Sequence, residues 1–218
     1  MKRAAWVVAV LVTAGTASAS DQALVEAQAR EISRLRAELA ALDDSADFAI
    51  AEALGIAGES GASGLLPRQR RRVAVAIVRE ARRNRLDPLL VAAVIHAESA
   101  FDCYALSPAG AMGLMQVMPA TGRFLSARRG QPLGPARNLF DAELNIELGT
   151  AYLADLLARF GSVEAALVAY NAGPGAARRI LADRRARQRF LAGYPRTVTA
   201  ELARLRALPR PAPPDDQG

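Results

Sequence analysis

Cysteine is all but missing from this sequence. Cys103 is the only one in 218 residues, so no disulfide can close within the chain and a framework of bridges is excluded as the source of its stability. Aromatic residues make up only 5%. With Ala, Leu and Arg abundant, helix formers outweigh the residues that suit β-sheet surfaces, and the expected class is all-α. Histidine is as scarce as cysteine. His96 stands alone, on what reads as a different element from Cys103, which argues against a Cys-His nucleophile and leaves Cys103 as a small packed side chain.

Long hydrophobic runs are also few. The run from Ala4 to about Ala14 follows the positive Met1-Lys2-Arg3 and precedes Ala17-Ser18-Ala19. It is too short to span a bilayer comfortably, and the layout is that of a secretory signal with an A-x-A cleavage site. Residues 1–19 are therefore expected to be a signal peptide, with export and cleavage near Ala19. No later stretch of the sequence is expected to cross a membrane.

What the chain has in excess is positive charge: a formal net charge of +6 and a pI near 10.3. Such a balance raises nucleic acid as a partner, but export and the low aromatic content weigh against it. Outside the cytosol the same charge favours anionic surfaces, such as the cell wall or lipid headgroups. One dense arginine run lies between Arg68 and Arg85 and another between Arg178 and Arg189; both read as solvated helix faces.

Composition divides the chain. Residues 20–54 read as an amphipathic helical segment in which Val25, Ile32, Leu35, Leu39 and Leu42 recur at coiled-coil spacing, with Gln28 breaking the series. Fewer than three heptads are present, so self-association through residues 21–43 stands beside packing on the following domain. Residues 55–66 are rich in Gly and Ser and read as a linker. Residues 67–208 form the expected catalytic domain, and the proline-rich residues 209–218 a disordered tail. Within the domain a helix should run from Pro67 to about Arg85. Asp87-Pro88 should then cap an apolar helix ending near Glu98. A loop should follow to Gly113, with a short helix restarting near Leu114. Further helices are expected from Pro119, from Asp141 to Phe160, from Glu164 to Tyr170 closed by Gly173-Pro174-Gly175, around Ala176 to Asp183, and around Pro195 to Leu208.

Glu98 is the candidate for chemistry. A carboxyl at the end of an apolar helix, shaded by Phe101, loses hydration, so its pKa rises and it becomes a general acid. Taken alone, a single Glu is better read as a solvated or capping charge. Three runs in order change that reading: Ala97-Glu98-Ser99-Ala100-Phe101-Asp102; Ser107 through Gly113-Leu114-Met115-Gln116-Val117-Met118-Pro119; and Ala169-Tyr170-Asn171-Ala172-Gly173-Pro174. Together they resemble the catalytic domain of the soluble lytic transglycosylases, over roughly Arg71 to Arg179. Asn138-Leu139-Phe140-Asp141, with Asn145-Ile146 and Gly149-Thr150-Ala151-Tyr152-Leu153, resembles the family's middle helix.

The resemblance implies a mainly helical, lysozyme-like fold and cleavage of the β-1,4 bond between N-acetylmuramic acid and N-acetylglucosamine in peptidoglycan. It implies that Glu98 acts first as acid and then as base, with help from the substrate's own N-acetyl group, and leaves a 1,6-anhydro end. Ser107, Gln116 and Met118 match groove residues, and Tyr170 and Asn171 match the pair that flanks and orients the Glu. No cofactor or metal is called for. The family's Glu-Thr pair, which begins a Tyr-containing helix, finds its nearest counterpart in Pro195-Arg196-Thr197, where a cation replaces the acid. Two other readings stay open: a hydrolytic goose-type lysozyme, with Asp102, Asp141 or Glu143 as second acid, and a non-catalytic wall-binding or assembly module.

Overall fold

The computed structural model describes residues 28, 30, 49–51, 67–134 and 138–208. The chain divides between Asp43 and Asp44, and the fold below belongs to the second unit. The expected signal peptide, the linker over 55–66 and the C-terminal tail lie outside the described residues, as does the expected helix over 21–43 apart from Gln28 and Arg30.

The expectation of an all-α class holds. From residue 67 onward the described residues form eight helices and no strand. They are α1 (Pro67–Arg83), α2 (Pro88–Ser99), α3 (Pro119–Arg128), α4 (Ala142–Phe160), α5 (Val163–Ala172), α6 (Pro174–Ala182), α7 (Arg184–Leu191) and α8 (Tyr194–Arg206). Among the described residues none of these is long and apolar enough to cross a membrane.

Helix α1 buries Val73, Ala76, Ile77 and Ala81 and turns Arg71, Arg72, Arg79, Arg82 and Arg83 outward, the division expected of an amphipathic helix. Helix α2 is different in kind. Every residue from Leu89 to Ile95 is buried, so it runs through the middle of the core. Its start is fixed locally: the Asp87 carboxylate accepts a hydrogen bond from the Leu89 N–H at 2.8 Å, and Pro88 occupies a first-turn position that needs no donor. Helix α8 packs most extensively on α2, while α4 packs on α1 and α5. Ala49 and Ile50 join the same core.

Most helix ends obey the local chemistry of their residues. Asp141 caps α4 by accepting from the Leu144 N–H at 2.8 Å, and Gly161 ends it in the left-handed conformation at φ 76°, where a side chain would be strained. Ser162 caps α5 through the Ala165 N–H at 3.2 Å.

Three expectations are corrected. No helix restarts at Leu114: Gly113 and Gln116 have φ of 75° and 45°, which no α-helix accommodates. Residues 113–116 form a tight turn there, closed by Met112 and Val117 exchanging N–H to O bonds at 3.1 and 3.0 Å. Pro174 does not close α5 but opens α6, because a proline lacks only a donor that the first turn leaves unused. Helix α7 was expected only as part of a solvated helix face, not as an element separate from α6. Asp183 caps it through the Ala186 N–H at 2.6 Å, but it buries no residue fully, so its sequence carries almost no apolar signal.

Candidate active site

Glu98 sits in the last turn of α2, half-buried. The chain leaves that helix through Ala100 and Phe101, both left-handed at φ 49° and 64°. Neither is glycine, and such positions cost on the order of 1–3 kcal/mol each. Two contacts hold the strained turn in place. Phe101 is buried in the core, and the Ser99 hydroxyl donates to the Leu114 carbonyl at 2.8 Å, tying the helix end to the turn that follows.

That turn is anchored from beneath by Asn145 of α4, a fully buried amide. Its Oδ1 accepts from the Met115 N–H at 2.7 Å, and its Nδ2 donates to the carbonyls of Met112 and Leu139, each at 2.8 Å. One side chain thereby bonds three main-chain groups, of which the Met112 carbonyl also accepts from the Val117 N–H. The approach is close enough to demand glycine twice. A Cβ on Gly113 would lie 2.5 Å from both the Asn145 amide nitrogen and the Leu139 carbonyl oxygen, and one on Gly149 would lie 2.6 Å from the Met115 side chain.

Above this base, Gln116, Met118, Tyr170 and Asn171 line a cavity of about 330 Å³ together with Tyr152, Thr121 and the Gly173-Pro174 corner. Tyr152 and Tyr170 have ring centroids 5.5 Å apart and give it an aromatic wall. The structure thus gathers four of the five residues expected to contact substrate. The Gln116 amide nitrogen donates to the carbonyls of Ala105 and Gly113 at 3.1 and 2.9 Å, so it also stiffens the loop that carries it. Met118 is exposed. Ser107 is not among the residues lining this cavity; its hydroxyl accepts from the Ala111 N–H at 2.9 Å and closes its own loop.

The residue bonded to Glu98 is one that the sequence reasoning missed. Tyr194, first residue of α8, donates its hydroxyl to Glu98 Oε1 at 2.6 Å. Tyr170, expected to orient the Glu, instead donates to the Met115 carbonyl at 2.8 Å. Burial raises the Glu98 pKa above the ordinary carboxylate value, and the Tyr194 hydrogen bond, which favours the charged form, pulls it partly back. Burial raises both tyrosines well above the usual phenol range, and the neighbouring Glu98 charge adds to the effect. Both therefore remain donors. A usable signal existed: Tyr194 is the only tyrosine after Tyr170, and a Tyr-containing helix was expected there. Arg196 and Thr197 lie in the first turn of the same helix, and both are exposed.

The three candidate second acids are engaged elsewhere. Asp102 accepts from the Tyr104 N–H at 2.8 Å, Asp141 caps α4, and Glu143 pairs with Arg72 at 2.6 Å. Cys103 is buried, which raises its thiol pKa and makes it a poor nucleophile. Among the described residues no group of His, Cys, Asp and Glu is arranged to hold a metal ion.

An all-helical fold that brings one half-buried carboxyl to a helix end, beside a cavity walled by tyrosines, is lysozyme-like. The chain belongs to the transglycosylase SLT domain family, whose model matches residues 76–191. It is 39% identical over 115 residues to "Membrane-bound lytic murein transglycosylase C" of Edwardsiella ictaluri, covering 48% of this chain and 32% of that protein. It is 43% identical over 88 residues to the "Transglycosylase" of Enterobacteria phage PRD1, covering 40% of this chain and 30% of that one. Among solved structures, an inactive mutant of the lytic transglycosylase Slt from Pseudomonas aeruginosa matches with a TM-score of 0.52 and 33% identity, over 60% of this chain and 23% of that one. The chain spans about a third of the length of the curated relatives it matches.

Proposed function

We propose that this protein is an exported lytic transglycosylase that cuts peptidoglycan between N-acetylmuramic acid and N-acetylglucosamine, with Glu98 as its single acid and base. The observation that carries the reading is a half-buried Glu98 held by Tyr194, while Asp102, Asp141 and Glu143 are each bound to other groups. The family and the relatives' names point the same way. Glycosidases that retain or invert through the enzyme alone need two carboxyl groups flanking the bond; one carboxyl fits a reaction in which the substrate supplies the second function.

Tyr194 donates to Oε1, which leaves Oε2 to carry the acidic proton. Burial raises the Glu98 pKa and so favours the protonated form that the first step needs. Oε2 protonates the glycosidic oxygen, the bond to C1 breaks, and the N-acetyl group of the muramic acid stabilises the positive C1. The Glu98 carboxylate, held by the Tyr194 hydroxyl, then takes the proton of the C6 hydroxyl as O6 bonds to C1. The leaving hydroxyl has gained the proton that O6 lost, so Glu98 is restored and no water is consumed. Gln116, Met118, Tyr170 and Asn171 would position the sugar.

Digestion of purified peptidoglycan followed by mass spectrometry tests this. Anhydro-muramic ends are expected from the wild type and none from Glu98→Gln; reducing ends without an anhydro sugar would instead establish a hydrolytic lysozyme.

A further inference from the structure

Helices α6 and α7 present an unpaired cationic surface. Arg178, Arg179, Arg184, Arg185, Arg187 and Arg189 are all exposed, and among the described residues none of them has an acidic partner. The one acid in the segment, Asp183, is committed to capping α7. From Pro174 to Arg196 the chain carries seven arginines and one aspartate, a net +6. The other arginine run, on α1, is partly neutralised, because Arg72 and Arg79 pair with Glu143 and Arg79 and Arg83 with Glu80, whereas the run on α6 and α7 has no such acidic partners among the described residues.

Its place in the fold is informative. Helix α6 begins at Pro174, and Gly173 and Pro174 line the cavity that holds Tyr170 and Asn171. The inward residues Ala177, Ile180, Leu181, Phe190 and Leu191 pack on Leu156, Ala166 and Val168. This fixes both helices to the cavity wall and leaves the arginines on the outer side. None of the six arginines lines that cavity. A row of guanidinium groups without a pocket fits a partner with many carboxylates along its length rather than one small anion.

We infer that the α6–α7 surface is an accessory binding surface for the acidic stem peptides of the peptidoglycan strand whose glycan enters the adjoining cavity. This rests on the proposed function for the identity of the strand. Peptidoglycan stem peptides carry free carboxylates at repeated intervals, and arginines starting one turn beyond the cavity rim match such a strand in charge. Binding should be electrostatic and lost with salt. It should add to affinity rather than to the chemical step.

The test separates binding from cleavage. Full-length Glu98→Gln, which keeps the surface and lacks the acid, is sedimented with intact sacculi, with sacculi whose carboxyls have been converted to amides, and with vesicles of phosphatidylcholine and phosphatidylglycerol at 3:1. Intact sacculi should bind at least ten-fold more tightly than amidated ones. The further replacement of Arg184, Arg185, Arg187 and Arg189 by Gln should remove that difference while leaving the helical spectrum and melting temperature unchanged. In the active enzyme the same four replacements should raise KM for sacculi and leave kcat alone. Equal binding to intact and amidated sacculi, an unchanged preference in the four-fold variant, or tighter binding to the vesicles than to sacculi would each overturn the inference. Failure of the proposed function reads out separately: wild-type protein would bind intact sacculi as predicted yet release no anhydro product.

Discussion

Asn145→Leu removes the amide that holds the active-site turn and keeps the branched shape, with two methyl groups where Oδ1 and Nδ2 stood. The bonds lost are those to the Met115 N–H and to the Met112 and Leu139 carbonyls. Leucine adds no cavity, so the cost is the desolvation of main-chain groups left without partners. Two of the three bonds are buried and the one to Met112 is partly so. The Met112 carbonyl keeps its bond from the Val117 N–H, so two buried groups are stranded, and at about 1–3 kcal/mol for each the loss should be about 2–6 kcal/mol. That is a large part of the ~5–15 kcal/mol that holds a typical domain together. Equilibrium unfolding in urea should show a lower midpoint with an unchanged slope. Because the Met115 carbonyl also accepts from Tyr170, the folded variant should lose activity even at temperatures well below its melting point. Asn145→Asp separates the two donors from the acceptor. It keeps Oδ1 but sets a carboxylate against two carbonyl oxygens, so burial and repulsion raise its pKa in the fold, and its stability should improve as pH falls. A loss below about 1 kcal/mol for Asn145→Leu would refute the reasoning, because it would show that the turn satisfies its own groups.

Two further predictions concern the titration of Glu98. Tyr194→Phe removes the hydrogen bond that favours the carboxylate, so the Glu98 pKa should rise further. The alkaline limb of kcat/KM should move to higher pH while kcat falls by about ten- to a hundred-fold, in keeping with about 1.5–3 kcal/mol for a hydrogen bond to a charged group; a limb that stays in place would show that Tyr194 does not act on the acid. Glu98→Gln should be more stable than the wild type at pH 7. The folded pKa of Glu98 lies above its unfolded value, so wild-type stability falls as pH rises from the unfolded pKa through the folded one, and glutamine escapes that loss. Melting temperatures should converge at about pH 4, near the ordinary pKa of a glutamate. An equal difference at both pH values would contradict the burial of a charge at this position.

Features encoded by neighbours in sequence were legible before the structure. Asp87-Pro88, Asp141 and the Gly161-Ser162 pair mark helix ends because a cap bonds to a residue two or three positions away. The apolar run of α2 announced a buried helix, and Glu98 stood out through the motifs around it. What stayed hidden depends on distant contacts. Tyr194 reaches Glu98 across 96 positions and Asn145 reaches Met115 across 30, and neither partnership leaves a local pattern. The turn at Leu114 is forced by two left-handed residues, of which only the glycine declares itself. The bounds of helix α7 were concealed by its arginines, since a segment that buries so little carries no periodic apolar signal.

The central claim is that one carboxyl, acting twice, replaces the usual pair. The most direct measurement is digestion of peptidoglycan in H₂¹⁸O with mass analysis of every new muramic end. The account predicts 1,6-anhydro ends free of ¹⁸O from the wild type and no cleavage by Glu98→Gln. Reducing ends carrying ¹⁸O would show that water is the nucleophile and that a second acid activates it.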